Sequence, residues 1–314
     1  MIKKKPDIIN YEAVIAEIES EIVAITQNSQ LYKEKSFDAR VNAIDFIDFH
    51  IIDQLEQLLP QAAKFHRLIE LKHRAEKIKL ELETIDFTLF QKLQADIRNR
   101  AYTSEEFRSL IGEHVDFNLE DKDHQEEPGY DNLDIFINGL FPLQTMPEQT
   151  KVLEPEMVYY QKTPARIIFE LTEQLHFSKD DVLFDLGSGL GQVTMLVNML
   201  SGIKVKGIEL EPAFCRYATD CAANLNLPNV EFINVDARKA DYTEGTLFFM
   251  YTPFNGKIMQ DVLEILRKES LSRKIKIITY GPCTAEIALQ SWLRPVGTVE
   301  NNIYKLSVFE SLYQ

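Results

Sequence analysis

The sequence predicts an all-α domain followed by an α/β domain with a mostly parallel sheet. Apolar residues recur at three- and four-residue steps over the first part of the chain, which is typical of helices. From residue 158 onward, apolar β-type runs alternate with helical stretches, and a glycine-rich turn follows the first of these runs. The chain has 314 residues, enough for two domains.

Residues 1–112 are predicted to form a bundle-like helical domain. Apolar stripes at helical spacing fall within residues 11–25, 37–58, 65–82 and 87–97. No glycine occurs before Gly112, which also favours helices. A fifth, short helix is predicted after Thr103, because Thr103-Ser104-Glu105-Glu106 has the form of a capping box. The connections are short, so we expect antiparallel neighbours.

Residues 113–157 are predicted to be an acidic linker and a segment draped over the next domain. Most residues from 120 to 127 are charged, and Pro128-Gly129 follows them, a combination typical of an exposed loop. Pro142, Pro147 and Pro155 interrupt the stretch after that. The α/β domain is therefore predicted to span residues 158–314.

Seven strands are expected in that domain. Five apolar runs, at 182–186, 204–209, 230–234, 246–251 and 275–280, are separated by helical stretches and predict parallel strands with helices on both faces. Two further runs, at 296–300 and 303–309, lie close together around Asn301-Asn302. We expect these two to form an antiparallel C-terminal hairpin on the same sheet.

The charge and cysteine content narrow the classes of partner and compartment. The net charge is −15, with 17 basic and 29 acidic residues in the first 150 and 17 and 20 in the rest. Such a chain repels phosphate backbones, which disfavours nucleic acid and anionic membranes as partners. No run approaches the ~18 apolar residues of a membrane-spanning helix. Three cysteines without paired spacing and a start without an apolar signal segment predict a reducing compartment, the cytoplasm.

A glycine-rich turn follows the first predicted strand and reads Asp185-Leu186-Gly187-Ser188-Gly189-Leu190-Gly191-Gln192. Glycines let the backbone turn sharply and let a ligand approach it without obstruction by a Cβ atom. The helix that follows directs free N–H groups toward such a ligand. The spacing is G-x-G-x-G, whereas dinucleotide-binding loops have G-x-G-x-x-G.

Acidic residues follow the next two strands. Glu209 lies 22 residues after Gly187, where a carboxylate can accept hydrogen bonds from both hydroxyls of a ribose. Asp236, followed by Ala237, is placed to accept a hydrogen bond from an adenine amino group. The carboxyl ends of parallel strands meet at one edge of a sheet, where open α/β folds bind ligands. The spacing therefore predicts a nucleoside-containing ligand.

On these motifs, residues 155–314 resemble class I methyltransferases that use S-adenosylmethionine (SAM). The resemblance implies a Rossmann-like seven-stranded methyltransferase sheet, SAM as the cofactor and methyl transfer as the activity. Asp185 to Gly191 matches the family's first motif, Glu209 its ribose-binding acid and Asp236 its adenine-binding acid. The predicted cofactor-binding residues are Thr163, Asp185, Gly187, Ser188, Gly189, Gly191, Gln192, Glu209, Asp236 and Ala237.

The candidate catalytic residues are Tyr251, Thr252 and Tyr160. The segment Tyr251-Thr252-Pro253-Phe254 stands where the family has its catalytic-loop motif. Upstream, Thr163 is expected to cap a helix that starts at Pro164, in a turn that closes over the methionine end of SAM. This upstream segment and the first motif together are also similar to the non-SET histone-lysine methyltransferases. A Thr and a single Pro replace the Asn- or Asp-Pro-Pro-aromatic motif, which speaks against N-methylation of a base or of glutamine and weakens the histone-lysine analogy.

The acceptor and the oligomeric state are left open by the sequence, with a protein or a small molecule favoured over nucleic acid as the acceptor. Displacement at a sulfonium methyl group needs no metal, and the six histidines show no metal-ligand spacing. One alternative is a SAM-binding or inactive scaffold whose helical domain recruits a protein partner. Another is an NAD-dependent oxidoreductase, but Gln192 stands where the dinucleotide motif requires Gly or Ala.

Overall fold

A computed structural model describes residues 11–59, 65–119, 129–141, 145–297 and 302–312. The chain divides into two compact units. The helical unit comprises Met1–Lys92 and Gly112–Asp116, and the sheet unit comprises Leu93–Ile111 and Phe117–Gln314. The domain limits expected from the sequence, after residues 112 and 157, stay a prediction.

The helical unit is built from long amphipathic helices. Helix α1 spans Tyr11–Gln27, α2 spans Phe37–Phe46 and leads through a π-helical turn, Ile47–Ile52, into α3, Asp53–Leu58. Two of the predicted apolar stripes lie on one 34-residue helix, α4, which spans Phe65–Arg98 and enters the sheet unit at Leu93. Aliphatic side chains from these helices form the core, among them Ile15, Ile18, Ile51, Leu55, Leu68, Leu71 and Leu82.

One buried ion pair organises the turn before α2. Arg40 is fully buried and donates a 2.7 Å hydrogen bond from Nε to Oδ1 of Asp86 on α4. Its guanidinium also donates to the backbone carbonyls of Leu31, Lys33 and Glu34. Burial raises the pKa of Asp86, and the hydrogen bond from Arg40 opposes that rise. The pair therefore fixes the loop that connects α1 to α2.

The sheet unit contains a seven-stranded sheet in the order β3-β2-β1-β4-β5-β7-β6. The first five strands are parallel, and β7 is antiparallel to both β5 and β6. The strands are β1 Val182–Leu186, β2 Lys204–Glu209, β3 Val230–Asn234, β4 Leu247–Tyr251, β5 Lys276–Tyr280, β6 Leu293–Pro295 and β7 Ser307–Ser311. The predicted fold class, a mostly parallel sheet with an antiparallel C-terminal pair after an all-helical region, is confirmed.

The C-terminal pair lies at other positions than expected. Strand β6 comes before residues 296–300, and β7 begins four residues after 303. Leu293 and Phe309 are both buried in the core of the sheet unit, which explains why pairing starts at the earlier segment. Residues 298–301 lie outside the described residues.

The sheet unit also contains seven α-helices in its described part. They are α5 Ser104–Gly112, α6 Asn132–Leu140, α7 Ala165–Gln174, α8 Gln192–Ser201, α9 Pro212–Asn224, α10 Gly256–Glu269 and α11 Cys283–Ala288. Of these, α8, α9 and α11 pack against the strands. The capping box of α5 is confirmed, because Thr103 and Glu106 exchange hydrogen bonds between side chain and backbone. Within the described part of the chain, none of the helices has the length and apolarity needed to cross a membrane.

The expectation that Thr163 caps α7 is wrong. Helix α7 begins at Ala165, and the residue at its N-cap position is Pro164, which has no side-chain donor or acceptor. The Ala165 N–H instead donates a 2.8 Å hydrogen bond to Oδ1 of Asp134, on α6. A carboxylate from a neighbouring helix thus does what the local sequence assigned to Thr163.

Candidate functional site

A cavity of about 260 Å³ lies at the carboxyl ends of β1 to β4. Strands β2 and β4 lie on opposite sides of β1, so the direction in which successive strands are added to the sheet reverses there. Open α/β sheets bind ligands at such a switch point. The predicted site residues that line the cavity are Tyr160, Gly187, Glu209, Asp236, Ala237, Tyr251 and Thr252. The sheet topology therefore brings together residues that are up to 92 positions apart.

Two glycines of the loop after β1 are required by the walls that face them. Gly187 has φ +77°, and a Cβ there would lie 2.4 Å from Cβ of Pro253. Gly189 has φ +53°, and a Cβ there would lie 2.2 Å from Cε2 of Tyr160. Both distances are shorter than nonbonded carbon atoms tolerate. Only glycine lets the loop, the β4 turn and the Tyr160 segment meet around the cavity.

The rest of the loop is buried beside the cavity. Gly191 has φ +82°, and a Cβ there would lie 2.4 Å from the ring of Phe232, so this glycine serves the packing of α8 on the sheet. Ser188 and Gln192 are buried, and their side-chain oxygen and nitrogen atoms have no hydrogen-bond partner among the described residues. Buried polar atoms without a partner are unfavourable, and these lie next to the cavity wall at Gly187.

Asp185 stands behind the loop. Its carboxylate accepts a 2.9 Å hydrogen bond from Oγ1 of Thr194 on α8. Burial raises the pKa of Asp185 to about 7, and the neighbouring charge of Glu209 adds to the rise. Asp185 is not one of the described residues that line the cavity. The same holds for five other predicted cofactor-binding residues, Thr163, Ser188, Gly189, Gly191 and Gln192. Contact of these six with the cofactor stays a prediction.

Glu209, at the end of β2, presents its carboxylate to the cavity. One oxygen accepts from the Gly189 N–H and the other from the Glu211 N–H, each at 2.7 Å. Burial raises the pKa of Glu209, while these backbone hydrogen bonds oppose the rise. A carboxylate has about four acceptor sites, so two remain for the hydroxyls of a ribose.

Asp236 is held by a residue that sequence reasoning missed. The backbone N–H of Arg238 donates to Oδ1 of Asp236 at 2.9 Å, and the Arg238 guanidinium contacts both carboxylate oxygens. These hydrogen bonds from Arg238 hold the pKa of Asp236 below its usual range. The carboxylate is thus fixed and charged at the cavity wall, next to Ala237. The basic residue two positions after Asp236 is the signal that could have revealed Arg238.

Thr252 has a strained backbone at the end of β4. Its φ is +40°, an outlier for a β-branched residue. The Thr252 hydroxyl accepts a 3.1 Å hydrogen bond from the Cys283 N–H, and the Val158 N–H donates to the Pro253 carbonyl at 3.2 Å. Strain of this kind persists where the surroundings over-determine it, and it clusters at functional sites.

Aromatic rings form one side of the cavity. The Tyr160 ring covers the glycine loop and lies 5.6 Å from the ring of Phe214, centroid to centroid. Tyr251 packs 4.8 Å from Tyr280, and the exposed Tyr159 lines the same cavity. Burial raises the pKa of Tyr160 well above its usual value, so this hydroxyl stays protonated at neutral pH. Tyr160 is thereby suited to packing and hydrogen-bond donation, not to accepting a proton.

Asp134 is a further residue that sequence reasoning missed. It forms a capping box with Asp131 and also holds the start of α7, four residues after Gln161 of the cavity wall. Burial raises the pKa of Asp134 to about 6. The Asp-x-x-Asp spacing could have predicted the capping box, but not the contact with Ala165. Across the described residues, no group of three or more His, Cys, Asp or Glu is suited to a metal ion.

Comparison with known proteins agrees with this geometry. The model of the family described as "Histone methylation protein DOT1" matches residues 155–246. The matched segment runs from the Tyr160 segment through the glycine loop, Glu209 and Asp236. This match confirms the predicted resemblance to class I SAM-dependent methyltransferases and the similarity to non-SET histone methyltransferases.

Solved structures of methyltransferases also resemble this chain. An RNA methyltransferase from Salinibacter ruber, solved with S-adenosyl-L-homocysteine, is 25% identical, with a TM-score of 0.40 over 48% of this chain and 92% of that chain. A SAM-dependent methyltransferase from Aquifex aeolicus is 20% identical, with a TM-score of 0.36 over 48% and 92%. A search of curated proteins finds no significant match.

Proposed function

We propose that this enzyme transfers the methyl group of SAM to a side chain of a protein. The supporting observation is the match of residues 155–246 to a family described by histone methylation, on the segment that carries the cavity residues. The acidic chain favours the same conclusion, because it repels nucleic acid. A small molecule is the alternative acceptor. We also propose that the enzyme acts in the cytoplasm.

The chemistry of the residues in and beside the cavity supports the assignment of SAM as the cofactor. Glu209 would accept hydrogen bonds from the ribose hydroxyls with its two remaining acceptor sites. Asp236, held by Arg238, would accept from the adenine amino group. Gly187 and the buried polar atoms of Ser188 and Gln192 would meet the amino-acid end. The ionised carboxylate of Asp185 would stabilise the positive charge there.

Catalysis would consist mainly of positioning. SAM supplies a methyl group that is already activated by the positive sulfur, so the chain has to place the acceptor in line and exclude water. Tyr251 and Thr252 line the part of the cavity that follows β4, and Tyr160 closes the wall over the loop. An aromatic wall stabilises a cationic acceptor and also packs against an apolar one. The raised pKa of Tyr160 means that this residue does not remove a proton from the acceptor.

Calorimetric titration with SAM tests the cofactor assignment. Wild-type protein should bind SAM, and Glu209→Ala should weaken binding about 100-fold, because the cavity would lose its acceptor for two hydroxyls. Glu231→Ala is the matched control: this exposed carboxylate on β3 pairs with Lys206, and SAM affinity should stay unchanged. Equal affinity in wild type and Glu209→Ala would refute the assignment.

Incubation with labelled SAM and a host-cell lysate tests the acceptor. Label should appear in the protein fraction and not in nucleic acid or small molecules. Label in RNA or DNA would contradict the charge argument, and label in small molecules would favour the alternative acceptor. SAM binding without any transfer would favour a scaffold.

A further inference from the structure

A short segment ahead of the first strand forms part of the cavity wall. We call residues 149–158 the strap. Gln149, Lys151 and Leu153 of the strap line the cavity, as do residues 157 and 158 at its end. Four anchors fasten it: Thr150 and Lys151 to Glu211, Glu154 to Arg238, Glu156 to Ile258, and Val158 to Pro253.

The anchors follow β2, β3 and β4, three of them before the next long helix begins and one, Ile258, in the first turn of α10. The loops after these strands are the ones that follow Glu209 and carry Asp236 and Thr252. The strap is therefore attached behind three of the four strands whose ends contribute predicted site residues, with β1 as the exception. Its position over the cavity depends on how firmly these anchors hold.

Glu211 is the anchor that accepts the most hydrogen bonds from the strap. It is 3% exposed, and its carboxylate accepts from the Thr150 N–H at 2.8 Å, the Thr150 hydroxyl at 2.6 Å and the Lys151 N–H at 2.7 Å. The same carboxylate caps α9 by accepting from the Ala213 N–H at 3.0 Å. Burial opposes ionisation, yet these hydrogen bonds hold the pKa of Glu211 at about 2. The carboxylate is therefore charged at every physiological pH.

The Glu154 anchor is weaker by comparison. The Glu154 side chain is half exposed, and exposed ion pairs contribute little because solvent screens them. Buried hydrogen bonds to a charged group are stronger than neutral ones and costly to lose. In addition, the Glu211 N–H donates directly to the Glu209 carboxylate. Glu211 thus joins the strap to the predicted ribose-binding residue.

We propose that Glu211 is a positioning residue that locks the strap over the cofactor cavity and thereby sets how fast the cofactor leaves. The proposal rests on the proposed use of the cavity for SAM. Loss of the lock lets residues 149–153 move away from the cavity, which speeds cofactor release and leaves the acceptor side of the site unchanged.

Two variants separate the lock from the helix cap. Glu211→Ser keeps an N-cap side chain for α9 but is too short to reach Thr150. Thr150→Val removes one strap hydrogen bond and leaves Glu211 intact. We expect the KM for SAM to rise about 10-fold in Glu211→Ser and about threefold in Thr150→Val, with kcat changed less than twofold in both. Thr219→Val, which removes a hydroxyl bonded within α9, is the control and should leave KM unchanged.

Hydrogen exchange measures the lock without cofactor or turnover. Amides of residues 149–153 should exchange at least 10-fold faster in Glu211→Ser than in wild type, whereas those of α9 should stay protected. Unchanged KM and unchanged strap exchange in Glu211→Ser would overturn the proposal. A raised KM in Glu211→Ser would also overturn the proposal if the amides of α9 exchanged faster and Thr150→Val left KM unchanged. Glu211 would then act only as a helix cap. If wild-type protein does not bind SAM, the proposed function fails, and strap exchange still decides whether Glu211 is a lock.

Discussion

The two units place buried polar groups in different ways. In the described part of the helical unit, the buried polar or charged side chains are Arg40, Asp86 and His114, and Arg40 with Asp86 serves a loop between helices. In the described part of the sheet unit they are more numerous, and Asp185, Ser188, Gln192 and Glu211 lie at the ends of β1 and β2 or in the segments that directly follow them. Burying polar groups is unfavourable unless they are paired. In the helical unit Arg40 and Asp86 meet this cost for architecture, whereas in the sheet unit part of it falls on the loops beside the cavity.

Removal of the buried pair should affect the helical unit alone. Arg40→Met leaves the Asp86 carboxylate buried without its cation, which costs about 3–5 kcal/mol. Trp292, the one tryptophan of the sequence, lies in the sheet unit, so its fluorescence reports on that unit, whereas circular dichroism reports on all helices. In urea, the circular-dichroism transition should split or shift to lower concentration while the Trp292 transition stays in place.

The double variant Arg40→Met with Asp86→Leu is the control for this pair. It leaves no uncompensated charge and should recover most of the lost stability. An equal shift of the Trp292 transition would contradict the assignment of this pair to the helical unit.

A methyl group at Gly189 should disturb the cavity more than one at Gly202, although both residues have positive φ. The Gly189→Ala Cβ would overlap the Tyr160 ring, so the ring or the loop must move. We expect SAM affinity to fall about 100-fold, or about 2.7 kcal/mol. At Gly202 the nearest atom to a Cβ is Oγ of Ser104 at 3.7 Å, so Gly202→Ala should cost only about 1 kcal/mol of stability from backbone strain. Calorimetry and thermal unfolding of both variants check this, and equal SAM affinities would be the contrary result.

Asp185 should make SAM binding depend on pH. Its folded pKa of about 7 lies above the value of 3.8 for the free group, so between pH 4 and 7 the folded chain holds a proton that the unfolded chain has released. The contribution of this group to stability is therefore largest at low pH and falls as pH rises through that window. A positive cofactor favours the ionised carboxylate, so binding at pH 6 should release a proton and be about 10-fold weaker than at pH 7.5.

Calorimetry in buffers of different ionisation enthalpy measures that proton release. Asp185→Asn should abolish both the release and the pH dependence. Proton release that persists in Asp185→Asn would assign it to another group, with Glu209 as the next candidate because its pKa is also raised.

The smallest effect is expected on the surface of the helical unit. Phe49, in the π-helical turn, is 74% exposed, so Phe49→Ser should change stability by no more than about 0.5 kcal/mol. Ile51, two residues further, is fully buried, and Ile51→Ala should cost about 2–5 kcal/mol. Urea unfolding followed by circular dichroism measures both. A large loss in Phe49→Ser would mean that its ring packs in solution.

The sequence predicted the elements whose signals are local. Apolar periodicity located the helices and the parallel strands, and β2 to β4 end where the spacing placed Glu209, Asp236 and Tyr251. The five parallel strands could be derived because strand-like runs and helical stretches alternate along this part of the chain. The C-terminal pair was misplaced, because burial of Leu293 against the core outweighed the turn signal at Asn301-Asn302.

Two of the residues that were missed, Asp134 and Glu211, act through contacts distant in sequence. Asp134 meets the start of α7 after 31 residues, and Glu211 meets Thr150 after 61. No periodicity in the sequence encodes such pairs. The cap at the start of α7 was therefore assigned to the neighbouring Thr163 and not to Asp134. The sequence located the glycine loop but explained its glycines only by the approach of a ligand. Pro253 and Tyr160 also leave no room for a side chain in this loop. Arg238 was missed for another reason: it contacts Asp236 from only two positions away, but it belongs to no known motif.

The strap has a consequence for how this fold can be inherited and recombined. The cavity wall is completed by residues 149–153, which precede the first strand at Val182 by about thirty positions. A gene fusion that borrowed the fold from residue 158 onward would carry Glu209, Asp236 and the glycine loop but lose the segment fastened across them. The smallest exchangeable module therefore begins before α6, so that the Asp134 contact with α7 travels with the strap.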